Sequence, residues 1–158
     1  MQYLSQKQNK AINMQLVNVD NVNEYRISAL ADNGEEMGFA TFLIKKSERK
    51  VWLRKIATNP EYQNLGVAKA ILDVLEYFTV QHRLCVIEGK FYPDNEFAKP
   101  FYLKNNYDIF KDDYETLVSK YLGHESISDE TRKRIVGYEE LPAQEPTKDM
   151  WNNEKNIY

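Results

Sequence analysis

The 158-residue sequence has one cysteine, Cys85, two histidines and no long apolar run. A single cysteine excludes an internal disulfide. Its neighbours Leu84, Val86 and Ile87 predict a buried strand thiol rather than a nucleophile. His82 and His124 lie far apart and read as surface residues, so with one cysteine the chain offers no Cys/His zinc site and no metal is expected. No apolar stretch approaches the roughly 20 residues that span a bilayer. The opening MQYLSQKQNK is polar and has no apolar signal core. These absences predict a soluble cytoplasmic protein with no membrane partner. A basic excess is missing as well: 21 Lys and Arg stand against 24 Asp and Glu, a net charge of −3. That argues against a nucleic-acid partner. The clusters KSERK (46–50) and RKR (132–134) accordingly read as solvated faces.

What is present suffices for one core. The length suggests a single domain with a modest extension, and 42% hydrophobic residues is slightly below the globular norm. Residues 1–11 read as a polar arm, loose or shortly helical. Alternating apolar and polar positions predict strands over 12–19 and 24–30. Asn33-Gly34 signals a hairpin, with residues 37–44 as the returning strand and 50–58 as the next. The period then changes. From Leu65 onward Ala68, Ile71, Leu72, Leu75 and Phe78 are spaced as one face of a helix, with Lys69, Asp73 and Glu76 on the other.

Further strands are expected over 83–91, at Tyr107–Phe110 and over 114–122, with a turn and helix over 95–106. Pro100 fits that helix in its first turn, and Asn106 suits a left-handed terminus. Past Gly123, Ser128 is a candidate N-cap for a short helix. The tail holding Trp151, Ile157 and Tyr158 is either disordered or laid across a surface. Domain limits follow: an arm over 1–11, a domain over 12–122 and an extension over 123–158. Strands, helix, strand, helix, strands describe an α+β, or mixed α/β, fold with a mostly antiparallel sheet.

The stretch PEYQNLGVAKAIL (60–72) raises the functional question, because a glycine stands where a helix begins. A helix N-terminus carries unpartnered N–H groups and partial positive charge, so it accepts anions. Gly66 removes a side chain from the approach, and Ala68 keeps the next turn narrow. Gln63 is followed by Asn64, Leu65, Gly66, Val67, Ala68 and Lys69, six residues whose N–H groups could receive a phosphate or pyrophosphate. The Lys69 side chain would add charge. The plain alternative is a turn glycine. The Lys-Ser/Thr pattern of a nucleoside triphosphate loop is lacking.

The chain resembles the GNAT superfamily of acyl-CoA-dependent N-acetyltransferases over about residues 33–122. Gln63, Gly66 and Ala68 match the family's Gln/Arg-x-x-Gly-x-Gly/Ala signature after a strand ending IATNP. Asn95, Ala98 and Tyr102 match its downstream motif, and Asn106-Tyr107 stands where Gly-Phe is usual. The resemblance implies a splayed strand pair around 56–58 and 86–90, with acetyl-CoA as co-substrate. The backbone of Ile56, Ala57 and Thr58 would bond the pantetheine arm as an added strand. Loop 63–69 would hold the pyrophosphate, Asn95 would contact the pantetheine, and Tyr102 would protonate the departing thiolate. An N–H near Thr58 would stabilise the oxyanion.

The resemblance also implies an amine acceptor, small molecule or protein. The strand KVWLRKIAT has no carboxylate where many relatives carry glutamate, so Glu88 on the next strand is the candidate base, with Glu61 second. Only DNVN (20–23) separates the first two strands, which suggests an open acceptor side. An alternative reading is a GNAT-like CoA-binding module without catalysis, acting through protein partners. A third is an acetylating toxin acting on aminoacyl-tRNA, which the acidic balance disfavours. A homodimer is the symmetric default.

Overall fold

The computed structural model describes residues 1–7, 9–111 and 115–143. Its strands are β1 (Gln2–Ser5), β2 (Lys10–Asn18), β3 (Glu24–Leu30), β4 (Glu36–Lys45), β5 (Lys50–Thr58), β6 (Val86–Phe91), β7 (Asp108–Lys111), β8 (Thr116–Tyr121) and β9 (Ile135–Val136). The helices are α1 (Val67–Gln81), α2 (Ala98–Lys104) and α3 (Asp129–Arg134). Among the described residues the strands form one sheet in the order β7-β8-β6-β5-β4-β3-β2-β1-β9. The ladder between β5 and β6 is parallel and the others are antiparallel. This is the expected α+β arrangement. A strand–helix–strand crossover through α1 must return parallel, whereas the short turns of the N-terminal half give a meander.

Alternation places Ile12, Met14 and Leu16 of β2 in the core. Ile71, Leu72, Leu75 and Phe78 of α1 are fully buried against β3, β4 and β5. Each such side chain contributes about 1.5–3 kcal/mol relative to exposure. Phe78 packs edge-on against Tyr25 and Phe42, with centroids 4.8 and 5.0 Å away. Asn33-Gly34 forms the expected turn, with Gly34 at φ 84°. Pro100 lies in the first turn of α2, and Asn106 follows that helix in the left-handed region at φ 67°. Ser128 caps α3 by accepting the Thr131 N–H at 3.1 Å.

Two expectations are corrected. Residues 2–5 form a strand, not a loose arm: β1 pairs with β2 on one side and β9 on the other, burying Tyr3 and Ser5. Cys85 is half-buried and lies just before β6, where its N–H donates to the Arg49 carbonyl at 2.8 Å. Asp73 and Glu76, on the polar face of α1, are buried, because β1 and β8 of the sheet bring Tyr3 and Lys120 to them. The Tyr107 hydroxyl and Lys120 Nζ reach the Glu76 carboxylate at 2.9 and 3.0 Å. His82 stands at the end of a helix as expected, as the C-cap of α1, and is partly buried there. Its ring lies 4.1 Å from that of Phe78, and Nε2 is 2.9 Å from Glu140. Tyr114 and the tail with Trp151, Ile157 and Tyr158 lie outside the described residues.

Candidate functional site

Pairing between β5 and β6 runs from Lys50–Val86 to Leu53–Gly89 and stops. β5 continues to Thr58, still paired with β4 through Lys55–Thr41, Ile56–Ala40, Ala57–Phe39 and Thr58–Gly38. The register shifts where Leu53 gives way to Lys55, so Arg54 is the extra residue of a bulge. A bulge bends its strand, and here it coincides with the parting of β5 from β6. Residues 54–58 therefore present a strand edge that β6 does not cover.

The chain leaves β5 through a short 3-10 turn, Pro60–Tyr62, whose first residues are held by Asn59 Oδ1 accepting the Glu61 N–H at 3.3 Å. Asn64 and Gly66 both adopt left-handed conformations, at φ 64° and 77°. Gly66 is the N-cap of α1, and its carbonyl takes the first helical bond from the Ala70 N–H at 3.0 Å. No side chain caps the helix, and its first turn carries no acid. The N–H groups of Val67, Ala68 and Lys69 precede the helical ladder. A Cβ on Gly66 would meet Lys7 at an ordinary 3.5 Å, so the glycine is required by its backbone angle more than by space.

A cavity of about 340 Å³ opens at this helix start. Thr58, Asn64, Gly66, Val67, Ala68 and Lys69 line it, together with Phe101, Lys104 and Asn105 from α2 and its C-cap. Tyr3, Ser5, Gln6, Lys7 and Arg134 close the far side. Four cations and no Asp or Glu line it, although the chain is acidic overall. Thr58 is 2% exposed, and its buried hydroxyl oxygen has no hydrogen-bond partner. The Lys69 ammonium is held 2.5 Å from Asp73 Oδ1, and the Tyr3 hydroxyl bonds the same carboxylate. Burial, then the Asp73 charge, pushes the Tyr3 phenol well above its ordinary value.

Six of the thirteen sequence-derived residues line this cavity: Thr58, Asn64, Gly66, Val67, Ala68 and Lys69. Gln63 is half-buried in extended conformation between the 3-10 turn and Asn64, and Leu65 is partly exposed. Ile56 and Ala57 are buried on the free stretch of β5. Asn95 belongs to a second cleft of about 330 Å³, at the splay, with Arg54, Lys55, Lys90, Phe91, Tyr92 and Glu115. Its side-chain oxygen accepts the N–H groups of Phe97 and Ala98 at 3.1 and 3.2 Å, so it organises the start of α2. Tyr102 is 1% exposed. It stacks on Phe91 at 5.8 Å and meets Tyr107 edge-on at 5.5 Å, and burial raises its phenol well above the ordinary value. Tyr102 is in the lining of neither cavity; Phe91, on which it stacks, lines the splay cleft.

Glu88 is not brought to either cavity. It bonds Lys50 Nζ at 3.3 Å, toward the paired end of β6. Glu61 is exposed on the 3-10 turn. Residues that sequence reasoning missed are Tyr3, Lys7, Lys104 and Arg134. Arg134 sat in the RKR run, and the structure divides that run. Arg132 donates to the His124 carbonyl at 2.6 Å, Lys133 is exposed, and Arg134 lines the cavity. No signal in the sequence separated these three.

Residues 23–109 match the family model described as acetyltransferase (GNAT) domain. A comparison with curated proteins finds no match. Among solved structures, the chain is similar to a PaiA N-acetyltransferase from Thermoplasma acidophilum in complex with coenzyme A, at 20% identity and a TM-score of 0.60. The match covers 65% of this chain and 63% of that one. A GNAT-family acetyltransferase from Staphylococcus aureus matches at 17% identity and a TM-score of 0.59, over 66% and 72% of the two chains. Tetrahymena GCN5 matches at 17% and 0.55, over 63% and 69%. These likenesses concern the fold.

Proposed function

The chain belongs to the GNAT acetyltransferase family, and from that premise we propose that it moves an acetyl group from acetyl-CoA to a primary amine by direct attack. The observation that carries the reading is the acid-free, four-cation cavity at the uncapped start of α1, beside the open edge of β5. Acetyl-CoA supplies an activated thioester. The N–H groups around Gly66–Lys69 receive its pyrophosphate, and the backbone of Ile56, Ala57 and Thr58 bonds the pantetheine arm as an added strand. The unpartnered Thr58 hydroxyl is a buried polar group that a ligand in this cavity would satisfy. A backbone N–H near Thr58 stabilises the oxyanion, Asn95 contacts the arm at the splay, and Tyr102 supplies the thiolate's proton.

The acceptor is an amine on a small molecule or a protein. The link between β2 and β3 is a turn held by Asp20, whose Oδ1 accepts the N–H groups of Val22, Asn23 and Glu24 at 2.9–3.0 Å. No helix of that link covers the splay, which suits a bulky acceptor. Glu88 serves as base only after leaving Lys50. Calorimetric titration of acetyl-CoA tests the cofactor reading. We expect saturable binding that Gly66→Glu abolishes by placing a carboxylate at the cradle. Absence of binding to the wild-type protein would overturn it.

A second reading is a GNAT-fold module that binds acetyl-CoA without turnover. The salt bridge that holds Glu88 away from both cavities favours it. Turnover with any member of an amine panel, lost in Tyr102→Phe, would end that reading.

A further inference from the structure

The family match covers residues 23–109, yet part of the cavity wall comes from outside it. The turn after β1 brings Lys7 against the loop, with Cβ 3.5 Å from where a Gly66 Cβ would stand. Arg134, the last residue of α3, reaches the same cavity. These two are not placed there by chance packing of loose ends. β1 is clamped between β2 and β9, and β9 follows Arg134 directly. Tyr3 of β1 bonds Asp73 on α1, and the Arg134 guanidinium stands beside that phenol. One tie thus fixes the N-terminal hairpin, the end of α3 and the first turns of α1 relative to one another.

The charges in the cavity are not equivalent. Lys69 is neutralised by Asp73 at 2.5 Å. Arg134 stands beside the Tyr3 hydroxyl, a neutral partner, and lies 3.8 Å from the exposed Glu130. Lys7 is an exposed side chain at the mouth. The net positive charge facing the helix start is therefore carried largely by Lys7 and Arg134, with Lys104 opposite on α2. The buried, unpartnered Thr58 hydroxyl is a second and independent sign that this cavity is built for a polar ligand.

We propose that the N-terminal hairpin and α3 form a second wall of the cofactor site, in which Lys7 and Arg134 bind phosphate oxygens of coenzyme A across from the α1 N-terminus. This rests on the cofactor reading above. It adds that segments beyond the matched acetyltransferase region are part of the binding site rather than appendages. An arginine fork and a lysine on one side of an anion, and helix N–H groups on the other, are complementary donors.

The test is calorimetric titration of coenzyme A into the full-length protein and three variants. Lys7→Glu and Arg134→Gln remove the proposed contacts. Lys46→Glu, at the opposite end of α1, changes net charge without touching the cavity. We expect Lys7→Glu and Arg134→Gln each to weaken binding by about tenfold or more, with Lys46→Glu within twofold of wild type. We also expect a shallower loss of affinity with added salt in Lys7→Glu. Lys7 is exposed in a turn, so Lys7→Glu decides the matter if Arg134→Gln disturbs folding beside Tyr3. Wild-type binding that both variants retain would overturn the second wall and leave the cofactor reading intact. No wild-type binding would overturn the cofactor reading and the wall with it.

Discussion

Leu53 and Gly89 are the last residues that β5 and β6 share, and they meet without room for a side chain. A Cβ on Gly89 would stand 3.0 Å from the Leu53 carbonyl oxygen and 3.4 Å from Leu53 Cβ. The site's opening begins one residue later, at the Arg54 bulge. Close contact at the hinge and parting beyond it are two consequences of one local geometry.

Gly89→Val should therefore destabilise the fold although valine favours strands. Overpacking at a closed contact costs about 1–3 kcal/mol, more than the propensity gain. Thermal and denaturant unfolding of Gly89→Val would check this. A variant as stable as wild type would show that the two strands separate freely at this pair.

Gly66 is held at φ 77° with ordinary space around it. Gly66→Ala should cost about 1–2 kcal/mol from the left-handed backbone alone, and Gly66→Asn should cost less. Denaturant unfolding of both variants gives the comparison. Equal stability of Ala and Gly would remove the conformational reason for the glycine.

The sequence made this loop legible because its signals are local. A strand with alternating residues, a Pro-led turn, a glycine and an apolar helical stripe all lie within a few residues of one another. The α+β order of elements and the Ser128 cap were readable for the same reason. What was not readable depends on distant partners. The polar first residues became a strand because β2 and β9 supply ladders on both sides, information held some 130 positions apart in the case of Gln2 and Val136. Asp73 and Glu76 lie on the helix face opposite the apolar stripe, and only the tertiary fold brings Tyr3, Tyr107 and Lys120 to them. Lys7 and Arg134 look like any solvated cations until the hairpin and α3 turn them toward one cavity.

Tyr102→Phe should separate chemistry from binding. The ring packs on Phe91, Phe101 and Tyr107, contacts that phenylalanine preserves. We expect stability and acetyl-CoA affinity to stay near wild type while kcat falls by about 10²–10⁴-fold, the usual worth of a positioned acid. Because burial raises the phenol well above its ordinary value, wild-type kcat should show no limb from this group between pH 6 and 9. Unchanged kcat in Tyr102→Phe would remove the residue from the chemistry.

Glu76 gives the protein a pH-dependent stability of predictable sign. Burial is the largest influence on its carboxyl group and raises its pKa, outweighing the Lys120 ammonium and the Tyr107 hydroxyl, which act in the other direction. In the folded state Glu76 thus keeps its proton to higher pH than in the unfolded chain. The folded state then binds more protons, so the contribution of this group to stability is complete below the unfolded carboxylate pKa and is lost as pH rises through the folded one. Glu76→Gln keeps a hydrogen-bond acceptor for Tyr107 and cannot titrate, so it should flatten that part of the stability curve. The comparison is denaturant unfolding of both proteins from pH 4 upward through neutrality, taking the difference between them at each pH. A difference that does not change across the range would mean that Glu76 has the same proton affinity folded and unfolded. The Lys120 ion pair would then fully offset the cost of burial.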